Sequence, residues 1–121
     1  MREILFKAKD IKGCWHEGLL CHEENAWFIS NKAGAPRAFE VMKNTISQYT
    51  GLTDKNGNKI WENNIIHIGD KAIPYIVEWH DTGFMGKAVK AMDRIGLKYW
   101  SSKIEIIGNI FDNPELLEMG R

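Results

Sequence analysis

The sequence predicts a mainly β protein made of short antiparallel strands, and three observations carry that reading. Short runs rich in aromatic and β-branched residues recur along the chain. Turn clusters, most of them ending in glycine, separate those runs, as expected for a meander or small barrel. Apolar residues are 44% and charged residues 26% of 121 residues, which suits one globular domain and argues against a disordered chain. The expected architecture is a small barrel-like sheet over roughly residues 47–111, with an amino-terminal β-meander packed on it and a short carboxy-terminal helix. The whole chain, 1–121, is read as a single domain. The alternative is an α+β arrangement, if residues 39–46 and 87–95 are both helical.

Ile4 to Lys9 has the apolar and aromatic character of a strand, and Asp10-Ile11-Lys12-Gly13 supplies a turn closed by glycine. Cys14 to Cys21 reads as the next strand, with Gly18 suited to a bulge or a close approach. His22 to Asn25 turns the chain into an aromatic strand, Ala26 to Ile29. Ser30 to Arg37 is a loop broken by Gly34 and Pro36. Phe39 to Ile46 fits a helical turn or a strand, and Tyr49 and Thr50 make Ser47 to Leu52 a strand. Asp54-Lys55-Asn56-Gly57 is the clearest turn, because Asn and Gly accept positive φ.

Lys59 to Trp61 resumes extended structure, Glu62-Asn63-Asn64 breaks it, and Ile65 to Ile68 is a further strand. Ile73 to Trp79 is strand-like, with Pro74 placed for its beginning or an exposed edge. His80 to Gly83 turns the chain toward Phe84 and Met85. In Lys87 to Lys98 the residues Ala88, Met92 and Ile95 share one helical face, although Gly96 limits any helix. Ile104 to Ile107 is a strand. Asn113-Pro114-Glu115 then has the pattern of an N-cap, a first-position proline and an acidic first turn, so one or two helical turns should cover Leu116 and Leu117.

Sixteen basic residues balance sixteen acidic ones, so no long-range field draws in nucleic acid or an anionic membrane indiscriminately. No signal peptide is visible, and no apolar run approaches the length that spans a bilayer. The expected location is therefore the cytoplasm, where two cysteines are expected as free thiols, buried or half-buried.

Gln48 to Leu52 followed by Asp54 to Gly57, and Ile107-Gly108-Asn109-Ile110 followed by Asn113-Pro114-Glu115-Leu116-Leu117, together resemble the YopX family of phage and prophage proteins. Phe6-Lys7-Ala8-Lys9 and Trp15-His16-Glu17-Gly18 fit the amino end of the same pattern. Where the family has an aromatic residue before Glu-Gly-Asp-Ile-Val, this chain has Trp61-Glu62-Asn63-Asn64-Ile65-Ile66, so Asn63-Asn64 replaces Gly-Asp. Asn adopts the left-handed conformation and mimics Asp in turns, so the shape is expected to survive. The resemblance implies a phage or prophage origin and a host-cytoplasmic setting. It supplies no established activity.

Cys14, His16, Cys21 and His22 are metal-ligand types at a spacing that matches no zinc knuckle. On one strand, Cys14 and Cys21 would also point to opposite faces. Neither cysteine with His67 or His80 forms a recognisable nucleophilic motif, and Asp54, Asp70, Asp81 and Asp112 all fall in turns. No catalytic residue, metal or cofactor is expected. The one basic concentration is Lys87, Lys90, Arg94, Lys98 and Lys103, with Phe84, Tyr99 and Trp100 nearby. It reads first as a solvated face with Tyr99 and Trp100 packed in the core, and in the alternative as a nucleic-acid-binding surface. The leading expectation is a non-enzymatic accessory protein that binds a protein partner or itself, with no membrane contact and no small-molecule substrate.

Overall fold

Alternation along one long strand decides the arrangement of the amino-terminal half. In β2 (Trp15–Glu23), Gly18 is buried and His16 and Leu20 are partly so, whereas Glu17, Leu19, Cys21 and Glu23 are exposed. The computed structural model describes residues 4–30 and 38–118, which group into two compact units meeting at Tyr49 and Thr50 along the chain.

The first unit is an antiparallel meander. β1 (Phe6–Lys9), β2, β3 (Ala26–Ser30), β4 (Phe39–Val41) and the start of β5 (Ser47–Thr53) lie in the order β4-β3-β2-β1-β5. The register sets Phe6 opposite Gly18, Ala8 opposite His16, Leu20 opposite Ile29 and Trp27 opposite Val41. These inward residues form a core of Ala8, Ile29 and Val41, with Phe6, Leu20, Trp27 and Ile46 packed against it. The expected strands at 4–9, 14–21 and 26–29 are found. Residues 31–37, most of the expected loop, lie outside the described residues. Residues 39–46 divide: three form β4, and Lys43–Thr45 form a 3-10 turn. Thr45 Oγ1 fastens that turn to β1, accepting from Lys9 N–H at 2.9 Å and donating to Met42 O at 2.7 Å.

The second unit takes β5 onward and adds β6 (Lys59–Trp61) beside it. β7 (Asn64–His67), β8 (Tyr75–His80), β9 (Gly83–Ala88), β10 (Arg94–Gly96) and β11 (Glu105–Asn109) form a five-stranded sheet, ordered β10-β9-β8-β7-β11. Ile60, Ile66, Val77, Leu97 and Ile104 are its core, and burying each contributes about 2 kcal/mol.

This sheet is open, not a closed barrel. At its β11 edge the turn after β5 stands where a further strand would pair: Lys55 N–H donates to Ile104 O at 2.9 Å and Ile106 N–H donates to Asp54 Oδ2 at 3.3 Å. An edge satisfied by a turn has no need of closure. The expectation of a helix at 87–95 fails as well. β9 runs to Ala88 and the chain returns as β10, with Met92 exposed at the turn. The only α-helical turn among the described residues is α1 (Leu97–Trp100), which directs Leu97 and Trp100 inward because residues three apart share a face. The carboxy-terminal helix is present as a 3-10 segment, Pro114–Glu118.

Candidate functional site

Two turns have one design. In Asp10–Cys14 and in Asp54–Asn58 the aspartate N–H donates to the carbonyl four residues on, at 2.9 and 2.8 Å. The glycine N–H donates back to the aspartate carbonyl at 3.0 Å in each. Oδ1 accepts the N–H groups of Lys12 and Cys14 in the first, and of Asn56 and Asn58 in the second. Gly13 and Gly57 sit at φ +86° and +83°, a region side chains rarely adopt. The turns part at Oδ2, which accepts from His16 Nε2 at 2.8 Å in the first and from Ile106 N–H in the second.

Both carboxyl groups ionise below the ordinary aspartate range. For Asp54 burial opposes ionisation, and the N–H groups of Asn58, Ile106 and Asn56 outweigh it. For Asp10 the His16 hydrogen bond is the largest cause, helped by the Cys14 and Lys12 N–H groups. A carboxylate holding three backbone donors has no lone pair aimed at a substrate, so Asp54 acts as a fastener.

The other residues that carry the family pattern are spent the same way. Thr50 Oγ1 donates to Ile60 O at 2.7 Å, and Gly51 takes φ +88°. Asn63 adopts φ +74°, and Asn64 Oδ1 accepts from Trp61 N–H at 2.7 Å. The Asn pair thus does what Gly-Asp would. A Cβ on Gly108 would lie 2.5 Å from Asn113 Oδ1, the atom that accepts Asn109 N–H, so only glycine fits there.

His67 is buried in the second unit with both ring nitrogens engaged. Nδ1 accepts from Gly69 N–H at 3.0 Å and Nε2 donates to Glu105 Oε1 at 2.7 Å, which fixes the neutral tautomer. The His67 hydrogen bond is the main reason that Glu105 ionises below the usual glutamate range, with Lys55 Nζ at 3.7 Å adding to it. His67 is not paired with a cysteine. Cys14 and Cys21 belong to the first unit, and both are exposed rather than buried as the sequence led us to expect. Cys21 occupies an outward position of β2, and Cys14 precedes the strand. No group of three His, Cys, Asp or Glu among the described residues is placed to hold a metal ion.

The basic segment is dispersed. Lys87 and Arg94 face one another across β9 and β10, but Lys87 Nζ donates to Ala88 O and Ala91 O, and Arg94 Nε to Glu78 Oε2 at 2.9 Å. Lys103 lies 5.8 Å from the Trp100 ring centre, while Lys90 and Lys98 are exposed. Trp100 packs on the core as expected. Tyr99 does not: it is 83% exposed.

What the structure leaves outside is apolar and sits largely on the first unit. Ile11, at the tip of the Asp10 turn, is 89% exposed, and with Glu40, Val41 and Met42 it lines a shallow cleft. Leu19 and Phe39 are also exposed. Sequence reading had Asp10–Gly13 only as a turn and passed over Ile11, although an isoleucine between Asp and Lys in a glycine turn was a visible signal.

Among the described residues no helix is long and apolar enough to cross a membrane. No curated protein matches the chain. A solved structure that it resembles is the crystal structure of protein EF1440 from Enterococcus faecalis, with TM-score 0.62 and 22% identity over 97% of this chain and 99% of that one. At that identity the likeness concerns the fold alone. The model of the family described as YopX protein matches residues 7–118. With that match spanning nearly the whole sequence, the chain belongs to the YopX family.

Proposed function

We propose that this protein is a phage- or prophage-derived, non-enzymatic accessory domain of the host cytoplasm that works by binding protein, a second copy of itself included. The observation that carries the reading is Ile11, a large aliphatic side chain held out in solvent on a turn fixed by five hydrogen bonds to Asp10. Rigid presentation of an apolar side chain costs solubility and serves a binding surface. The groups with chemical potential support the same reading, since Asp54, His67 and Glu105 are consumed in fastening the second unit. Affinity capture from lysogenic or infected host cells, compared with the Ile11→Ser variant, tests it. Partners retained by the native protein and lost by the variant are the expected result. No partner in repeated captures, together with a monomer in light scattering, would overturn it.

A second reading has its own observation. Tyr99 stands exposed between Lys98 and Trp100, an arrangement on which a nucleic-acid base can stack. Binding to single-stranded probes that weakens with salt and with Tyr99→Ala would support it. No shift at low salt removes it.

A further inference from the structure

The outward face of the first unit is divided by charge. Lys7 and Lys9 of β1 lie opposite Glu17 and Trp15 of β2, and both ammonium groups approach the Trp15 ring, at 4.7 and 5.4 Å from its centre. That corner is basic and aromatic. At the other end of β2, Glu23 is exposed beside the β2–β3 turn, and Glu40 of β4 lies opposite Phe28, which itself lies opposite Cys21. That corner is acidic. Between them are Leu19, 42% exposed, and Cys21. The outward residues of β2 are thus Trp15, Glu17, Leu19, Cys21 and Glu23, with Leu19 at the midpoint.

We propose that this face docks on the same face of a second copy, through a two-fold axis passing by Leu19. The inference rests on the protein-binding reading and names the partner. A two-fold interface sets each residue against its counterpart's mirror position, so a patch must be complementary to itself. Rotation about Leu19 carries the position of Trp15 onto that of Glu23. It brings the Lys7–Lys9 corner of each copy against the Glu23–Glu40 corner of the other, with Leu19 against Leu19 in the middle. Two sheets packed face to face leave about 10 Å between their backbones, the span that side chains of this size fill. Opposite charges then meet at both ends, about 26 Å apart along β2 by the rise of an extended strand. A parallel stacking would instead set lysine against lysine. Such a face is small, so the dimer is weak and forms with rising concentration.

The test is a charge swap read by analytical ultracentrifugation. The native protein is expected to dimerise with concentration. Lys9→Glu and Glu23→Lys, each alone, should weaken the dimer at least ~10-fold, because symmetry makes each change strike two contacts. The Lys9→Glu/Glu23→Lys double variant should recover it, as should an equimolar mixture of the two single variants. Recovery separates a lost contact from a damaged fold. In a Cys14→Ser/Cys21→Ser background, Leu19→Cys should form an intermolecular disulfide under mild oxidation, whereas Thr82→Cys, in the β8–β9 turn of the second unit, should not. A native protein still monomeric at about 0.5 mM, beyond the range of weak interfaces, would overturn the proposal and leave only a foreign partner for the broader reading. Dimers unaffected by either charge reversal would overturn it as well, and would place self-association on another surface.

Discussion

The Asp10 and Asp54 turns set one local design in two surroundings. Each has Asp followed three residues later by Gly, the same backbone hydrogen bonds, and Oδ1 shared between the same two N–H groups. What differs is the reach of Oδ2. In the first turn it meets His16, six residues away; in the second it meets Ile106 N–H, 52 residues away, and is buried. Local sequence dictates local geometry in both cases. A long-range partner turns a hairpin closure into a fastener of a sheet edge. The first turn, without that duty, is the one that presents Ile11 to solvent.

The largest expected effect follows from that difference. Asp54→Ala leaves the N–H groups of Asn56, Asn58 and Ile106 without an acceptor, and should cost about 3 kcal/mol in urea unfolding. The Asp10 turn lies exposed, and its N–H groups can turn to water. If Asp10→Ala lowered stability as much as Asp54→Ala, the distinction between closure and fastener would be wrong.

Next in size are the glycines, where the two turns should agree. A Cβ added at Gly13 or Gly57 would meet no atom within 4 Å, so the penalty is purely conformational. Gly13→Val and Gly57→Val should each cost about 2 kcal/mol, as a β-branched residue forced to positive φ does. A much greater loss at Gly57 would show that the fastening runs through the glycine as well as the aspartate.

Acid separates the turns again. Asp54, Asp10 and Glu105 all have carboxyl groups that ionise more readily folded than unfolded. Their contribution is therefore complete above the unfolded values, 3.8 for aspartate and 4.5 for glutamate, and is lost as pH falls through the lower folded values. Unfolding free energy measured downward from about pH 5 should decline, and Asp54→Asn should flatten that decline more than Asp10→Asn. Equal flattening would count against burial as what sets Asp54 apart.

The sequence made the turns legible because Asp, Asn and Gly act over four or five residues. Strands at 59–61, 26–29 and 104–107 were legible for a similar reason, since alternation and β-branching are local. The reach of Asp54 to Ile106 was not, and neither was the pairing of His67 with Glu105 across β7 and β11. Each depends on a register that no window of sequence contains. The expected helix at 87–95 failed where periodicity was ambiguous: Ala88, Met92 and Ile95 fit a helical face, but Ala88 lies in one strand, Ile95 in its neighbour and Met92 in the turn between. Exposure was the least legible property. Nothing in their residue types told Tyr99, which faces solvent, from Trp100, which packs on the core.

The smallest effect concerns His16, and it decides whether the first turn is built for display. His16 stacks on Phe39 with ring centres 4.0 Å apart while its Nε2 holds Asp10. It therefore links the turn that carries Ile11 to the strand that borders the apolar cleft. His16→Gln keeps a donor for Asp10 but loses the stacked ring. Stability should change little, since the Asp10 carboxylate keeps its backbone donors. If the turn and β4 act together as one binding surface, the variant should lose partner capture along with Ile11→Ser while melting as the native protein does. Capture that survives His16→Gln but not Ile11→Ser would confine the surface to the tip of the turn. Capture that survives both would move the binding surface off this turn and onto the outward face of β2, where Leu19 and Glu23 lie.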